Sequence, residues 1–216
     1  MCLSSDDVYG GQLNFMHSLK NHLLSRLLGL DYNGDEWTFS LEQRSAIHLT
    51  NLHSVVESKI LRINYTTYDI RQDHDTIQPS WGDVIMTSSR DQDHPFWYAQ
   101  IIHAWHIQAY FSPAGASSSK HKMEVLWVHW LSIDRDHRWG FKEGRLPKVG
   151  FVLDRADHAP FGFLDPSLMI RGCHLIPAFS DCHMSELLQE GASLARVSGE
   201  IDDWAGFYVN MWVRPL

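Results

Sequence analysis

Apolar and polar residues alternate with a period of two along three stretches of this chain, a pattern typical of β-strands. The longest stretch, Phe96 to Phe111, is rich in aromatic and β-branched residues, and Met123 to Leu131 alternates in the same way. A third stretch, Ser58 to Arg71, has high strand propensity throughout. We interpret the first two as the core of a small β-barrel, with Trp81 to Met86 as the strand that leads into it.

Helical spacing replaces this alternation near the start of the chain. Between Phe15 and Leu30, leucines recur at intervals of three and four residues, which predicts an amphipathic helix that ends at Gly29. Ser40 and Gln43 stand at the N-cap and third helical positions of a capping box, so we expect a short second helix after Ser40. The stretch Ser185 to Arg196 predicts a weak third helix.

Shorter stretches complete the predicted set of elements. Strands are expected at Val149 to Val152, at Met169 to Ile176 and, as a closing strand, at Gly206 to Val213. The acidic stretch Gln72 to Ser80 and the segment Phe161 to Pro166 are interpreted as irregular connections. Strands therefore outnumber helices in the predicted fold.

The resulting prediction is a mostly β fold of the α+β type, a small β-barrel with peripheral helices. Within it, the Gly-, Ser- and Pro-rich connection at residues 111–122 predicts a mobile loop. The predicted organisation is a disordered N-terminus at 1–14, a helical flank at 15–57, the barrel core at 58–180, a helix or linker at 181–202 and a closing strand at 203–216.

Charge limits the surfaces on which this chain meets nucleic acid. It carries 26 acidic and 18 basic residues, a formal net charge of −8, so as a whole it repels phosphate backbones. Nucleic-acid binding therefore requires a local basic surface, and residues 134–148 are the most basic part of the chain. The candidate nucleic-acid-binding residues are Arg135, Arg138, Lys142, Arg145 and Lys148.

Aromatic residues offer a second candidate surface. Clustered rings bind methylated ammonium groups through cation–π attraction, or stack on nucleic-acid bases. The candidate ligand-binding residues are Tyr98, Trp105, Trp127, Trp130 and Trp139. The competing interpretation is that most of these rings fill the barrel core, which a small β domain needs.

Three pairs of acids place both carboxylates on one side of an extended chain, as a shared cation requires. They are Asp73 with Asp75, Asp91 with Asp93, and Asp134 with Asp136. All three occupy turn-like polar stretches, where solvated acids are commoner than metal ligands. Cys173 with His174 and Cys182 with His183 suggest zinc, but adjacent residues on a strand point to opposite faces. We therefore expect no metal, no cofactor and no enzymatic activity.

The three cysteines indicate the compartment. Cys2, Cys173 and Cys182 are too few for a disulfide framework and odd in number, and no secretory segment follows Met1. We therefore expect a reducing, intracellular location. No apolar run reaches the roughly 18 residues that a membrane helix needs, so we expect no membrane partner.

The segment Lys59 to Ile77 is similar to a segment of proteins encoded by Plavaka-type DNA transposons of basidiomycete fungi. Further blocks resemble the same proteins in the same order, and together they cover about residues 15–213. They are Leu30–Glu36, His94–Ile101, Leu126–Trp130, Gly144–Phe151, Phe161–Phe179 and Asp203–Val213. In that family this region lies downstream of the transposase catalytic core. The resemblance implies a stand-alone tail or remnant rather than a transposase, and it supplies no catalytic residues.

A weaker resemblance is to bromo-adjacent-homology modules, which are small SH3-like barrels that read chromatin. Gly82 to Ile85, Tyr98 to Ile101 and Trp127 to Trp130 follow the order of three strands in those modules. The two resemblances together imply a non-catalytic binding module, derived from a transposon-encoded protein. It would contact chromatin, nucleic acid or a protein partner, and its location would be nuclear.

Two alternatives stay open at this point. In the first alternative, the chain is a structural or interaction remnant of a transposase and has no ligand of its own. Its partner surface would then be the apolar face of the first helix, formed by Leu19, Leu23 and Leu27. The third hypothesis is a metal-dependent nuclease or transposase fragment, which tight binding of a divalent metal would support.

Overall fold

The computed structural model describes residues 15–32, 37–49, 55–67, 69–89, 94–112, 117–152, 159–184 and 203–210. Strands predominate among these residues, which confirms the predicted mostly β fold. The strands are β1 (Ile47–Leu49), β2 (Val55–Glu57), β3 (Leu61–Thr66), β4 (Gln72–Ile77), β5 (Val84–Ser88), β6 (Phe96–Phe111), β7 (Ser119–Ile133), β8 (Lys148–Phe151), β9 (Phe161–Leu164), β10 (Met169–Pro177), β11 (His183–Met184), β12 (Asp203–Trp204) and β13 (Phe207–Asn210). The helices are α1 (Phe15–Leu27) and α2 (Leu41–Ser45).

Several predictions lie outside the described residues. They concern the disordered N-terminus at 1–14, the helix at Ser185 to Arg196, the acid pair Asp91 and Asp93, and the end of the last strand beyond Asn210. Among the residues that are described, no helix combines the length and the apolar character needed to cross a membrane.

The chain divides into two compact units. The first comprises Met1–Val56 with His106–Met123, and the second comprises Glu57–Trp105 with Glu124–Leu216. The long strands β6 and β7 therefore contribute to both units.

Six strands of the second unit form a closed ring. Antiparallel neighbours follow the order β6, β5, β10, β13, β8 and β7, and β7 pairs in turn with β6. Each of the six strands contributes at least one buried side chain to the core of this barrel-like arrangement. These side chains are Val84, Met86, Tyr98, Leu131, Val149, Cys173 and Val209. The alternating apolar residues of the sequence thus face a common interior.

The remaining described strands lie outside this ring. β1 and β2 pair with β6, and β9 pairs with β7. β3 and β4 form a separate antiparallel hairpin, in which Leu61 lies opposite Ile77 and Thr66 opposite Gln72. β11 pairs with β12.

Three predictions about strands are corrected by the structure. Trp81 is not in a strand, because Pro79–Trp81 form a single 3-10 turn that ends at Gly82 with a φ of 70°, and β5 begins at Val84. The stretch predicted as an acidic turn contains β4, and the segment predicted as a connection contains β9. In both cases a partner strand supplies the hydrogen bonds that local propensity does not predict. β7 also begins at Ser119, inside the predicted loop 111–122.

Both predicted helix ends near the start of the chain are confirmed. Gly29 has a φ of 67°, its N–H donates to Arg26 O at 3.1 Å, and the Leu30 N–H donates to Ser25 O at 2.9 Å. These two bonds form a Schellman motif, for which glycine suits the left-handed residue. At α2, Gln43 N–H donates to Ser40 Oγ and Ser40 N–H donates to Gln43 Oε1, as a capping box requires.

The burial of α1 corrects the partner surface expected on it. Leu19 is 3% exposed and Leu23 is fully buried. The neighbouring polar residues Asn21, His22 and Ser25 are also buried. Two of the three leucines predicted to meet a partner are therefore buried within the chain itself. Leu27 is only half-buried, at the end of the helix.

Candidate nucleic-acid interface

The connection between β7 and β8, residues 134–147, holds most of the predicted basic residues, and we call it the basic loop. Its two ends are joined, because Ile133 pairs with Val149 and the Asp134 N–H donates to Lys148 O at 2.9 Å. The Asp136 N–H donates to the Asp134 carboxylate at 3.1 Å, which begins the loop with a turn. The sheet thus determines where the loop leaves the barrel.

Lys148, the last predicted basic residue, is engaged in an ion-pair network at the base of the loop. Its Nζ lies 2.7 Å from Asp181 Oδ2 and 3.3 Å from Asp134 Oδ2. The hydrogen bond to Asp181 raises the pKa of Lys148, and the same bond lowers the pKa of Asp181. Lys148 therefore anchors the loop and is not placed to bind phosphate.

Two aromatic contacts connect the middle of the basic loop to the barrel. The ring of Trp139 lies 4.4 Å from that of His94, which packs in turn edge-on to Tyr98 at 5.6 Å. The His137 ring lies 5.6 Å from Tyr208, and its Nε2 is 3.1 Å from Leu146 O. The loop is therefore connected to β6 and β13 as well as to its own ends.

The tip of the basic loop is a tight turn between Gly140 and Arg145. The Gly140 N–H donates to Arg145 O at 2.9 Å, and the Glu143 N–H donates to Gly140 O at 3.1 Å. Both Gly140 and Gly144 have positive φ angles, 104° and 61°, which glycine adopts at little cost. Phe141 stands on this turn and is 94% exposed.

Four of the five predicted basic residues are exposed on the loop: Arg135, Arg138, Lys142 and Arg145. Among the described residues, no carboxylate forms an ion pair with Arg138, Lys142 or Arg145. The loop also carries two exposed acids, Asp136 and Glu143. It is therefore a net positive surface on an acidic protein.

The five predicted aromatic ligand-binding residues do not converge on one site. Tyr98 has no exposed surface and belongs to the barrel core, so it cannot touch a ligand there. Burial raises the pKa of its phenol. Trp130 covers Gly162, whose position leaves no room for a methyl group because a Cβ would lie 2.6 Å from the indole nitrogen. Trp139 lies on His94, as described above.

Trp105 and Trp127 come together with a histidine that was absent from the prediction. The His103 ring lies 5.3 Å from Trp105 and 5.6 Å from Trp127, with planes within 13° of parallel. Glu57 Oε1 lies 2.5 Å from His103 Nδ1. His103 and Trp105 are two positions apart on β6 and therefore lie on one face of the strand, so this contact was open to prediction from the period of two.

One acid of each described pair, Asp75 and Asp134, has a structural role. Asp75 is 2% exposed and accepts hydrogen bonds from Arg171 Nε at 3.2 Å, Arg171 Nη2 at 3.3 Å and the Gly172 N–H at 3.0 Å. The Arg171 guanidinium also lies 3.9 Å from the centre of the Tyr65 ring. Asp134 takes part in the Lys148 network.

The two cysteines within the described residues are free thiols. Cys173 is buried, and its Sγ lies 3.6 Å from Val84 O. Burial raises the pKa of its thiol to about 12. Cys182 is exposed. Across the described ranges, no three His, Cys, Asp or Glu side chains are grouped closely enough to hold a metal ion.

Comparison of the chain with models of known protein families, with curated proteins and with solved structures finds no match.

Proposed function

We propose that this protein is a non-catalytic binding module whose basic loop contacts the phosphate groups of nucleic acid. The observation that carries the proposal is the exposure of three cations, Arg138, Lys142 and Arg145, on one short loop that is tied to a barrel. A loop held at its base, middle and tip presents its charges with little loss of entropy on binding.

The overall charge makes this loop the favoured side for approach to nucleic acid. With a net charge of −8, the rest of the surface repels phosphates, whereas the loop attracts them. Such an asymmetric field orients the protein before contact. The affinity then depends steeply on salt, because each neutralised phosphate releases counterions.

The arrangement of the rings supports nucleic acid over a methylated peptide as the ligand. A cage for a methylated ammonium needs several ring faces turned toward one shared space. Trp105 and Trp127 instead turn their faces toward each other and toward His103, with the two indole centres 6.1 Å apart. Derivation from a transposon-encoded protein and a nuclear location are part of the proposal, and both rest on the resemblance to Plavaka-type proteins.

The test is a charge reversal on the loop with a matched reversal elsewhere. The loop variant combines Arg138→Glu, Lys142→Glu and Arg145→Glu, and the control combines Lys59→Glu, Arg62→Glu and Lys122→Glu, which are exposed on other strands and loops. Fluorescence anisotropy with labelled single-stranded and duplex DNA measures affinity over a range of salt concentrations.

We expect the loop variant to lose most of its affinity and the control to keep most of it. If the three cations each neutralise one phosphate, the slope of log K against log salt becomes shallower by about 2 to 3 in the loop variant. Equal losses in the two variants would show a general charge effect, and no binding by the unmodified protein would end the proposal.

A further inference from the structure

Asp181 lies outside the basic loop but forms the closest ion pair at its base. Its Oδ2 lies 2.7 Å from Lys148 Nζ, whereas Asp134 Oδ2, at the start of the loop, lies 3.3 Å from the same atom. The side chains of Asp181 and Lys148 are 26% and 19% exposed, so water and salt screen this pair less than a surface pair. The hydrogen bond from Lys148 lowers the pKa of Asp181 most, and His137 in the middle of the loop lowers it further.

The turn that carries Asp181 has its own hydrogen bonds. The Asp181 N–H donates to Ala178 O at 2.8 Å, and Ser180 Oγ donates to Asp181 Oδ1 at 3.1 Å. The Ala178 N–H donates in turn to Gly206 O at 2.9 Å, which connects this turn to the residue before β13. Hydrogen bonds between β7 and β8 join the ends of the basic loop to each other, and Asp181 joins them to the turn that follows β10.

Gly206 leaves the space that this ion pair occupies. A Cβ on Gly206 would lie 2.9 Å from Asp181 Oδ2 and 3.3 Å from Lys148 Cε, less than the separation of about 3.5 Å at which nonbonded carbon atoms pack. The φ angle of Gly206 is not positive, so the missing side chain and not backbone freedom is what the pair requires. Alanine at this position would therefore displace the pair and leave every charge in place.

We propose that Asp181 is a positioning residue for nucleic-acid binding, which holds the basic loop through Lys148 so that the exposed cations of the loop are presented together. This role rests on the proposed function, since those cations are the groups that bind phosphate. Asp181 and Lys148 stay paired with each other and do not contact the nucleic acid. A loop that is held in place before binding loses less conformational entropy than one that the ligand must order.

Position and charge predict opposite effects of removing Asp181. On charge alone, Asp181→Asn removes an anion close to the basic loop and leaves Lys148 with one fewer acidic partner, and both changes favour phosphate binding. If Asp181 positions the loop, the same substitution weakens binding. Gly206→Ala changes no charge, so charge alone predicts no effect of this substitution, whereas the positioning role predicts a loss.

The experiment compares Asp181→Asn, Asp181→Glu and Gly206→Ala with the unmodified full chain. The matched control is Glu143→Gln, which removes one exposed anion from the basic loop and leaves the Lys148 network intact. Fluorescence anisotropy with labelled single-stranded and duplex DNA gives the dissociation constants, and circular dichroism checks that each variant is folded. Hydrogen–deuterium exchange of residues 134–147, read by mass spectrometry without DNA, measures how firmly the loop is held.

We expect Asp181→Asn and Gly206→Ala to weaken DNA binding about 2- to 12-fold, the range for ordering one long side chain on binding. Glu143→Gln should strengthen binding. Exchange within the loop should be faster in the two weakened variants and unchanged in Glu143→Gln. Asp181→Glu keeps an acidic partner for Lys148, so it should bind DNA more tightly than Asp181→Asn.

Stronger binding by Asp181→Asn, matching that of Glu143→Gln, would refute the positioning role, because Asp181 would then act through its charge alone. Weaker binding without faster exchange in the loop would refute it as well, and so would faster exchange without a change in affinity. The proposed function is judged separately, since reversal of the loop cations tests phosphate binding whichever result Asp181→Asn gives. No DNA binding by the unmodified protein refutes both proposals.

Discussion

Substitution of Asp75 by Asn tests how the β3–β4 hairpin is attached to β10. The change keeps the side-chain volume but removes the charge that accepts hydrogen bonds from Arg171 and from the Gly172 N–H. Asp75 is 2% exposed and Arg171 is 28% exposed, so the arginine charge would remain partly buried beside a neutral amide. Burial disfavours the charge on Arg171, yet Asp75 outweighs burial and raises the pKa of the guanidinium.

The size of the effect follows from burial. Removing one partner of a buried ion pair costs about 3 to 5 kcal/mol, and the remaining water access of Arg171 favours the lower end, about 3 kcal/mol. With a urea slope of about 2 kcal/mol per molar, the unfolding midpoint should fall by about 1.5 M. Tryptophan fluorescence and circular dichroism measure that midpoint.

A matched control comes from the turn of the same hairpin. Asp69 Oδ2 lies 3.2 Å from Arg71 Nε, the same separation as in the Asp75 pair, but these side chains are 41% and 82% exposed. Asp69→Asn should therefore cost less than about 1 kcal/mol. Similar midpoint shifts for Asp69→Asn and Asp75→Asn would refute the reasoning, because burial would then not decide the strength of the pair.

A double variant separates the loss of the pair from the exposure of a lone charge. Asp75→Asn combined with Arg171→Met removes both charges and keeps an apolar chain over Tyr65. We expect this variant to be more stable than Asp75→Asn alone, because no uncompensated charge is left in the interior. If it is no more stable than Asp75→Asn, the stranded charge does not account for the loss.

Two further predictions concern titration. Lys148→Met should lower the stability at neutral pH, and urea unfolding measures the deficit. The deficit should shrink as pH falls through the pKa of Asp181, which lies below its ordinary value of 3.8, and as pH rises through the pKa of Lys148, which lies above 10.5. A deficit that stays constant across this whole pH range would contradict the assignment. In the Cys2→Ser variant, one thiol should react rapidly with Ellman's reagent, that of the exposed Cys182. Cys173 should react slowly because it is buried and its pKa is raised to about 12. A second rapidly reacting thiol in the native protein would show that Cys173 is accessible.

Local patterns predicted the parts of this fold that local forces determine. The capping box at Ser40, the left-handed Gly29 and the alternation in β6 each depend on residues within a few positions of one another. β4 was missed because its residues, Gln72 to Ile77, have the polarity of a turn. They form a strand because β3 lies opposite and because Asp75 has a partner on β10.

The candidate site was predictable in composition but not in geometry. The basic residues are adjacent in sequence, so their shared loop follows directly. Whether a given charge is available does not follow, because the partner of Lys148 is Asp181, which is distant along the chain and brought near by the fold. Burial separates Tyr98 from the other predicted rings for the same reason.

The position of β13 has a consequence for biosynthesis. This strand lies between β10 and β8 in the ring, so each of these two strands lacks one of its two partner strands until translation has passed Asn210. Until then the nascent chain carries two open strand edges, which are templates for association with other chains. The ring therefore closes late, and a chain that stops before Phe207 should depend on chaperones for its solubility.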